Sequence, residues 1–165
     1  MDIIKALLKE LDQEFNTTKK FLALVPADKM DWAPHEKSMK MGPLAIHLAE
    51  LPAWIELALT TDELDFATMD WTPTEANGPQ DLLNLLEKSN NQGSKALASA
   101  DIKRFEEPWI LRSADVIHGT FTRYEMMRVA LAQTIHHRAQ LGVFLRLLNI
   151  PLPGSYGPTA DDNSF

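Results

Sequence analysis

The stretch TRYEMMRVALAQTIHHRAQLGVFLRLLN, residues 122–149, predicts the long amphipathic helix around which the fold is organised. It begins with the Thr-x-x-Glu pattern of a capping box, and its apolar residues recur every three or four positions. Asn149, shortly before Pro151, suits the left-handed residue that ends many helices. The inner stripe of this helix is interrupted by Gln133 and His137, although leucine would pack better at such positions.

Four segments have the periodicity of helices, over about residues 2–25, 41–60, 79–100 and 122–148. Pro52 lies inside the second segment and predicts a kink near Leu48–Leu51. Residues 101–119 have weak periodicity and are expected to form a loop, and residues 149–165 read as a polar tail. The sequence therefore predicts an all-α four-helix bundle that spans residues 1–165 as one domain.

Composition excludes several classes of function. The net charge is −7 and no basic cluster is visible, which argues against a nucleic-acid partner. The chain has no cysteine, so disulfides and thiolate zinc sites are excluded, as is typical of a cytoplasmic protein. No apolar run approaches the roughly 18 residues of a membrane span, and the early charges do not suit a signal peptide. We therefore expect a cytoplasmic chain with no membrane partner.

Three polar residues are expected to meet inside the bundle. Gln133 and His137 lie one turn apart on the inner face of the last helix, while His136 is rotated by about 100° toward its flank. His47 lies in the inner stripe of the second helix. Facing helices are where bundles build metal sites, so these residues predict a metal or catalytic site. The alternative, that they are hydrogen-bonded packing residues, stays open at this point.

Residues around these positions are candidates for the lining of a pocket. Trp54 lies about two turns beyond His47, and the full set of lining candidates is Trp54, His136, Leu51, Ala130 and Met126. Arg138 is expected to form a structural ion pair with an acid on another helix. The remaining histidines, His35 and His118, are expected to lie in solvated loops.

Two stretches carry a resemblance to a known family. The first is APHEKSMKMGPLAIHLAELPAW, residues 33–54, in which a histidine is followed by an acid–Leu–Pro–x–Trp ending. The second is HHRAQLGVFLRLLNIPLPGSYGPTADD, residues 136–162, with its His-Arg-x-Gln-Leu core and its Tyr-Gly-Pro-x-Ala-Asp tail. Together they resemble the second and last helices of the DinB-like family of small bacterial four-helix-bundle proteins, also called damage-inducible proteins. The resemblance covers nearly the whole chain.

The resemblance implies a divalent metal, zinc or nickel, held by three histidines. His47 and His137 match two of the family ligands, and Gln133 stands where the third histidine is expected. A carboxamide oxygen is a weaker ligand for these metals than an imidazole. Three outcomes are open: a weakly bound metal at His47, Gln133 and His137, a substitution by His136, or loss of the metal. The retained pocket with weak or absent metal is the favoured prediction.

The resemblance also implies a class of activity. Some family members look like transferases or isomerases that use low-molecular-weight thiols, and a metal-dependent transferase or hydrolase-like activity is therefore expected here. The alternative is a non-catalytic small-ligand-binding or stress-response protein that has lost the metal. A small-molecule ligand or thiol is the expected partner in the first case, and a homodimer is expected in both.

Overall fold

The computed structural model describes residues 2–69, 72 and 74–163, and in these it has five α-helices and one small β-sheet. The helices are α1 (Ile3–Leu22), α2 (Met41–Glu50), α3 (Ala53–Thr60), α4 (Pro79–Ala98) and α5 (Arg123–Leu147). The strands are β1 (Glu63–Asp65), β2 (Pro108–Ser113) and β3 (Val116–Thr122). The fold is mainly helical, but the predicted all-α class is wrong because of the sheet.

Local sequence signals fix several helix ends, and those at Thr122 and Asn149 are as predicted. The Asp2 side chain accepts a hydrogen bond from the Lys5 amide at 3.2 Å and caps α1. Thr122 and Glu125 form the complete capping box of α5, each bonding the backbone of the other. Asn149 has a φ of 60° and takes the left-handed conformation after α5.

The predicted kink in the second helix is a full break at Leu51–Pro52. Pro52 has no amide hydrogen, so α2 ends at Glu50 and the chain begins α3 one residue after the proline. Gly93 of α4 packs directly against this break, where a Cβ would lie 2.2 Å from the Pro52 carbonyl oxygen. Glycine at this position therefore lets α4 hold the two short helices in place.

The sheet has the order β1-β2-β3, with β1 parallel to β2 and β2 antiparallel to β3. The prediction of a loop over residues 101–119 is wrong, because β2 and most of β3 lie there. Ala114 in the tight turn of this hairpin has a φ of 49°, a conformation that costs about 1–2 kcal/mol for a non-glycine residue. The Asp65 carboxylate accepts a hydrogen bond from the Ala114 amide at 2.9 Å and stabilises the turn from another strand.

Two clusters of buried apolar residues form the core. The first unites side chains of α1, α2, α4 and α5, and the second unites α1, α3, α4, α5 and the sheet. Leu51 belongs to the first cluster, while Met126 and Ala130 belong to the second. Among the helices of the described residues, none combines the length and the apolar character that crossing a bilayer requires.

Candidate functional site

The structure brings together two histidines from different helices. His47 lies on α2 and His137 on α5, and both side chains are half-buried. Their ring centroids are 4.9 Å apart and the ring planes meet at 76°. Two imidazoles at this separation can share one small ligand or ion between them.

The surroundings of His47 favour its neutral imidazole, and a hydrogen bond fixes the ring of His137. Burial lowers the pKa of His47, and the nearby His137 lowers it further by charge repulsion. His137 Nδ1 lies 2.8 Å from Gln140 Oε1, and when Nδ1 donates this hydrogen bond its Nε2 keeps a free lone pair. A neutral ring whose second nitrogen is fixed by a hydrogen bond is the usual form of a metal-binding histidine.

Gln133 lies near this pair and His136 lies outside it. Gln133 and His47 line the same small cavity of about 110 Å³. Within the described part of the chain, the side-chain amide of Gln133 makes no hydrogen bond. His136 is exposed, and its ring lies 4.9 Å from that of His137 on the outer side of α5. The structure therefore offers Gln133, and not His136, as the third polar group of the site.

The small cavity is lined by four of the five pocket-lining candidates. They are Leu51, Trp54, Met126 and Ala130, and the remaining apolar walls are Leu111, Phe121 and Val129. The ring of Trp54 lies 6.2 Å from that of His47 and nearly perpendicular to it. The β2–β3 hairpin thus covers one side of the site, which a four-helix bundle without a sheet would leave open.

A larger cavity of about 570 Å³ shares His47 and Trp54 with the small one. Its walls come from the connection before α2, from α2, α3 and β1, and from the segment that follows β1. The lining residues are Met39, Pro43, Ile46, His47, Glu50, Trp54, Leu57, Leu64, Phe66, Met69 and Thr74. A mostly apolar cavity of this size with a few polar groups is typical of a small-molecule site.

Most residues of this larger cavity were missed by sequence reasoning. The segment that carries Phe66 and Met69 reads as a polar loop, yet both side chains are large, apolar and about half exposed, at 48% and 43%. Two such side chains among aspartates and threonines are the signal that could have located the pocket. Trp71, in the same segment, lies outside the described residues.

The remaining histidines lie away from the site. His35 is exposed in the connection before α2, as predicted. His118 is exposed but lies in β3, so its prediction as a loop residue is wrong, and its Nε2 lies 2.8 Å from Ser113 Oγ. Neither contributes to the cavities that contain His47.

The donor set fits a weakly held metal ion. Two imidazoles that share one ion with metal–nitrogen distances of about 2.0–2.1 Å place their ring centres about 5 Å apart, close to the observed separation. Gln133, with its unpaired amide, could supply a carbonyl oxygen. Within the described residues, however, no three His, Cys, Asp or Glu side chains converge as a metal site. The arrangement thus lacks the third strong ligand.

Comparison with known proteins agrees with this architecture. The family model of the DinB family matches residues 2–163, and the chain belongs to that family. Among solved structures, it is similar to a DinB-like protein from Bacillus subtilis, with 16% identity, 91% of this chain and 97% of the other covered, and a TM-score of 0.71. Among curated proteins, none matches the sequence significantly.

Two other solved structures are similar to the chain. One is a proposed member of the DinB family from Exiguobacterium sibiricum, with 21% identity, 90% and 93% of the two chains covered, and a TM-score of 0.66. The other is a DinB-like protein from Bacillus cereus, with 16% identity, 91% and 95% covered, and a TM-score of 0.68. At these identities the likeness concerns the fold, which has the same mainly helical form.

Proposed function

We propose that the protein is a metal-dependent enzyme with a degenerate centre, in which His47, His137 and Gln133 hold a divalent ion weakly. The observation that carries the proposal is the pair of imidazoles 4.9 Å apart, of which His47 also lines an apolar cavity. Zinc or nickel is the ion that an imidazole-rich donor set favours. A small molecule in the larger cavity would be the substrate.

The residues of the chain have separate roles in this proposal. When bound, a divalent ion would lower the pKa of a coordinated thiol or water, which is the chemistry of a thiol-dependent transferase, an isomerase or a hydrolase. Gln140 orients the His137 ring through its hydrogen bond to Nδ1. Trp54 and the hairpin residue Phe121 exclude water from the cavity that Gln133 lines.

A second candidate is a small-ligand-binding protein without catalytic metal. The two-imidazole donor set favours it, because catalytic zinc sites usually have three protein ligands. In this case the larger cavity alone would carry the function. The two candidates differ in whether His47 and His137 bind metal at concentrations that a cell supplies.

Substitution of Gln133→His tests the metal centre. Zinc and nickel affinities of the purified protein are measured by calorimetric titration, and bound metal by mass spectrometry. We expect substoichiometric metal in the natural chain and about tenfold or tighter zinc binding in the variant, since a third imidazole completes the ligand set. The matched control is Val143→His, which adds an imidazole to an exposed position of the same helix with no histidine three or four residues away.

The zinc affinities of the two variants decide whether position 133 completes a metal site. Equal zinc affinity in Gln133→His and Val143→His would mean that position 133 does not complete a metal site, and the proposal would fail. A further substitution of His47→Ala in the Gln133→His background is expected to remove the gain. The homodimer and the cytoplasmic location stay predictions, and sedimentation analysis of the purified chain tests the first.

A further inference from the structure

The larger cavity has a distinctive charge. Glu50 is the one charged side chain among its described lining residues, and the others are apolar except His47 and Thr74. The residues of the neighbouring segment that lie outside the described part are Asp70, Trp71 and Pro73, and none of them is basic. A ligand in this cavity therefore meets a negative charge and no positive side chain in its described walls.

Glu50 has a hydrogen bond but no counter-charge. Its side chain is half-buried, and its Oε1 accepts a hydrogen bond from the Thr74 hydroxyl. No ion pair of Glu50 with a Lys, Arg or His is present within the described residues. A carboxylate at an apolar wall loses hydration, and that cost is offset best by a hydrogen-bonded cation.

Two further features of the cavity favour a positive charge at this place. Glu50 is the last residue of α2, and the carbonyl end of a helix carries partial negative charge. Trp54 and Phe66 line the same cavity, and the faces of aromatic rings attract cations as well as apolar groups. The described wall of the larger cavity thus combines the Glu50 carboxylate with aromatic and aliphatic side chains.

We propose that the larger cavity binds an amine-bearing apolar small molecule. The ammonium group pairs with the Glu50 carboxylate, and the apolar body packs against Trp54 and Phe66. This inference rests on the proposed function in one respect: it names the class of small molecule that would occupy the larger cavity beside His47. A ligand whose only charged groups are carboxylates is disfavoured because Glu50 repels it.

A basic residue of the adjoining surface supplies a control. A shallower groove shares Glu50 and Trp54 with the larger cavity and also contains Glu56 and Lys88. Lys88 is exposed and lines this groove, but it is not among the lining residues of the larger cavity. If the cavity instead selected anions, Lys88 would be the residue to attract them.

Three probes of similar shape and different charge test the proposal: 4-phenylbutylamine, 4-phenylbutan-1-ol and 4-phenylbutanoate. Their dissociation constants are measured by calorimetry on the full chain in the presence of a chelator. We expect the amine to bind about five- to tenfold more tightly than the alcohol, and the carboxylate to bind most weakly. Glu50→Gln is expected to abolish the preference for the amine while the alcohol still binds.

The Lys88→Gln variant should keep the order of the three probes. Equal or tighter binding of the carboxylate, an unchanged preference in Glu50→Gln, or no binding of any probe would each overturn the proposal. Retained alcohol binding shows that Glu50→Gln is folded. Because zinc affinity is measured separately with Gln133→His, failure of the metal centre and failure of the amine site are distinguishable.

Discussion

Helix α5 and the helices it faces carry two kinds of inward polar side chain, and they differ in their partners. Arg123 and Arg138 are 1% and 3% exposed, and both guanidinium groups are paired with acids. Gln133 and His47 are less buried, yet the structure shows no hydrogen bond from either side chain to another described residue.

The arginines are tied to several elements at once. Arg138 Nη1 lies 2.6 Å from Glu14 Oε2 and donates to Thr18 Oγ1 at 3.1 Å, so it joins α5 to α1. This confirms the predicted ion pair with an acid on another helix. Arg123 Nε donates to Glu107 at 2.9 Å, and its Nη1 donates to the carbonyl oxygen of Ala58.

The comparison teaches that the partners of a buried polar group, more than its depth, separate structural from candidate functional residues. A guanidinium with acids and carbonyl oxygens around it has no capacity left for a ligand. A half-buried imidazole or carboxamide without a protein partner retains that capacity at a cost to stability. Apolar substitutions at the paired arginines should therefore lower the free energy of unfolding, whereas an apolar substitution at the unpaired imidazole should raise it.

The largest effect is expected for Arg138→Met. Removal of the guanidinium leaves the Glu14 carboxylate buried without its counter-charge, and breaking a buried ion pair in this way costs about 3–5 kcal/mol. The free energy of unfolding in urea measures this loss. The double substitution Glu14→Leu with Arg138→Met removes both charges and is expected to recover most of it. A double variant as unstable as the single one would contradict this account.

A smaller loss is expected for Tyr156→Phe. The Tyr156 hydroxyl donates to Glu14 Oε1 at 2.5 Å, and its ring lies 5.5 Å from the Arg138 guanidinium carbon. Loss of this one hydrogen bond should lower the free energy of unfolding by about 1 kcal/mol, since the residue is 64% exposed. The ring stays in place in the variant, so Tyr156→Ala serves as a control that should cost more.

The same tyrosine should give a dependence on pH. Burial and the hydrogen bond to Glu14 raise the pKa of Tyr156 above its ordinary value of 10.0. Above pH 10 the unfolded chain releases the phenolic proton of Tyr156 while the folded chain keeps it. The contribution of Tyr156 to the free energy of unfolding therefore decreases as the pH rises from the unfolded-state pKa toward the raised folded-state pKa. The difference in unfolding free energy between the natural chain and Tyr156→Phe should therefore shrink from pH 9 to pH 11. A constant difference would contradict the raised pKa.

The smallest effect, and one of opposite sign, is expected for His47→Leu. Leucine fills the same space beside Leu51 and Trp54 without a partly desolvated imidazole, so the free energy of unfolding should rise by about 0.5 kcal/mol. His35→Leu, at an exposed loop position, should give no such gain. A clear loss of stability in His47→Leu would make His47 a structural residue and remove the contrast with Arg138.

The helices could be predicted from the sequence because their signals are local. The capping box at Thr122, the cap at Asp2 and the left-handed Asn149 each depend on neighbouring residues, and the structure has all three. The convergence of His47 and His137 follows from helical periodicity with the packing of facing helices.

The sheet and the larger cavity could not be predicted because their causes are distant in the sequence. The turn at Ala114 lacks the Asn-Gly type of signal, and it is held by Asp65, which is 49 residues away. The three residues of β1 are too few for a period to be visible. Phe66 and Met69 become walls of the cavity only after β1 has paired with β2.

The interruption at Pro52 has a consequence for how this protein can diversify. His47, whose ring contacts that of His137, lies before the proline, whereas Trp54 and Leu57, which line the larger cavity, lie after it. Exchanging side chains of the eight-residue helix beyond the proline can alter which molecules fit without shifting His47. Variation of this one short helix, by evolution or by design, can therefore reshape the larger cavity while the pair of imidazoles keeps its position.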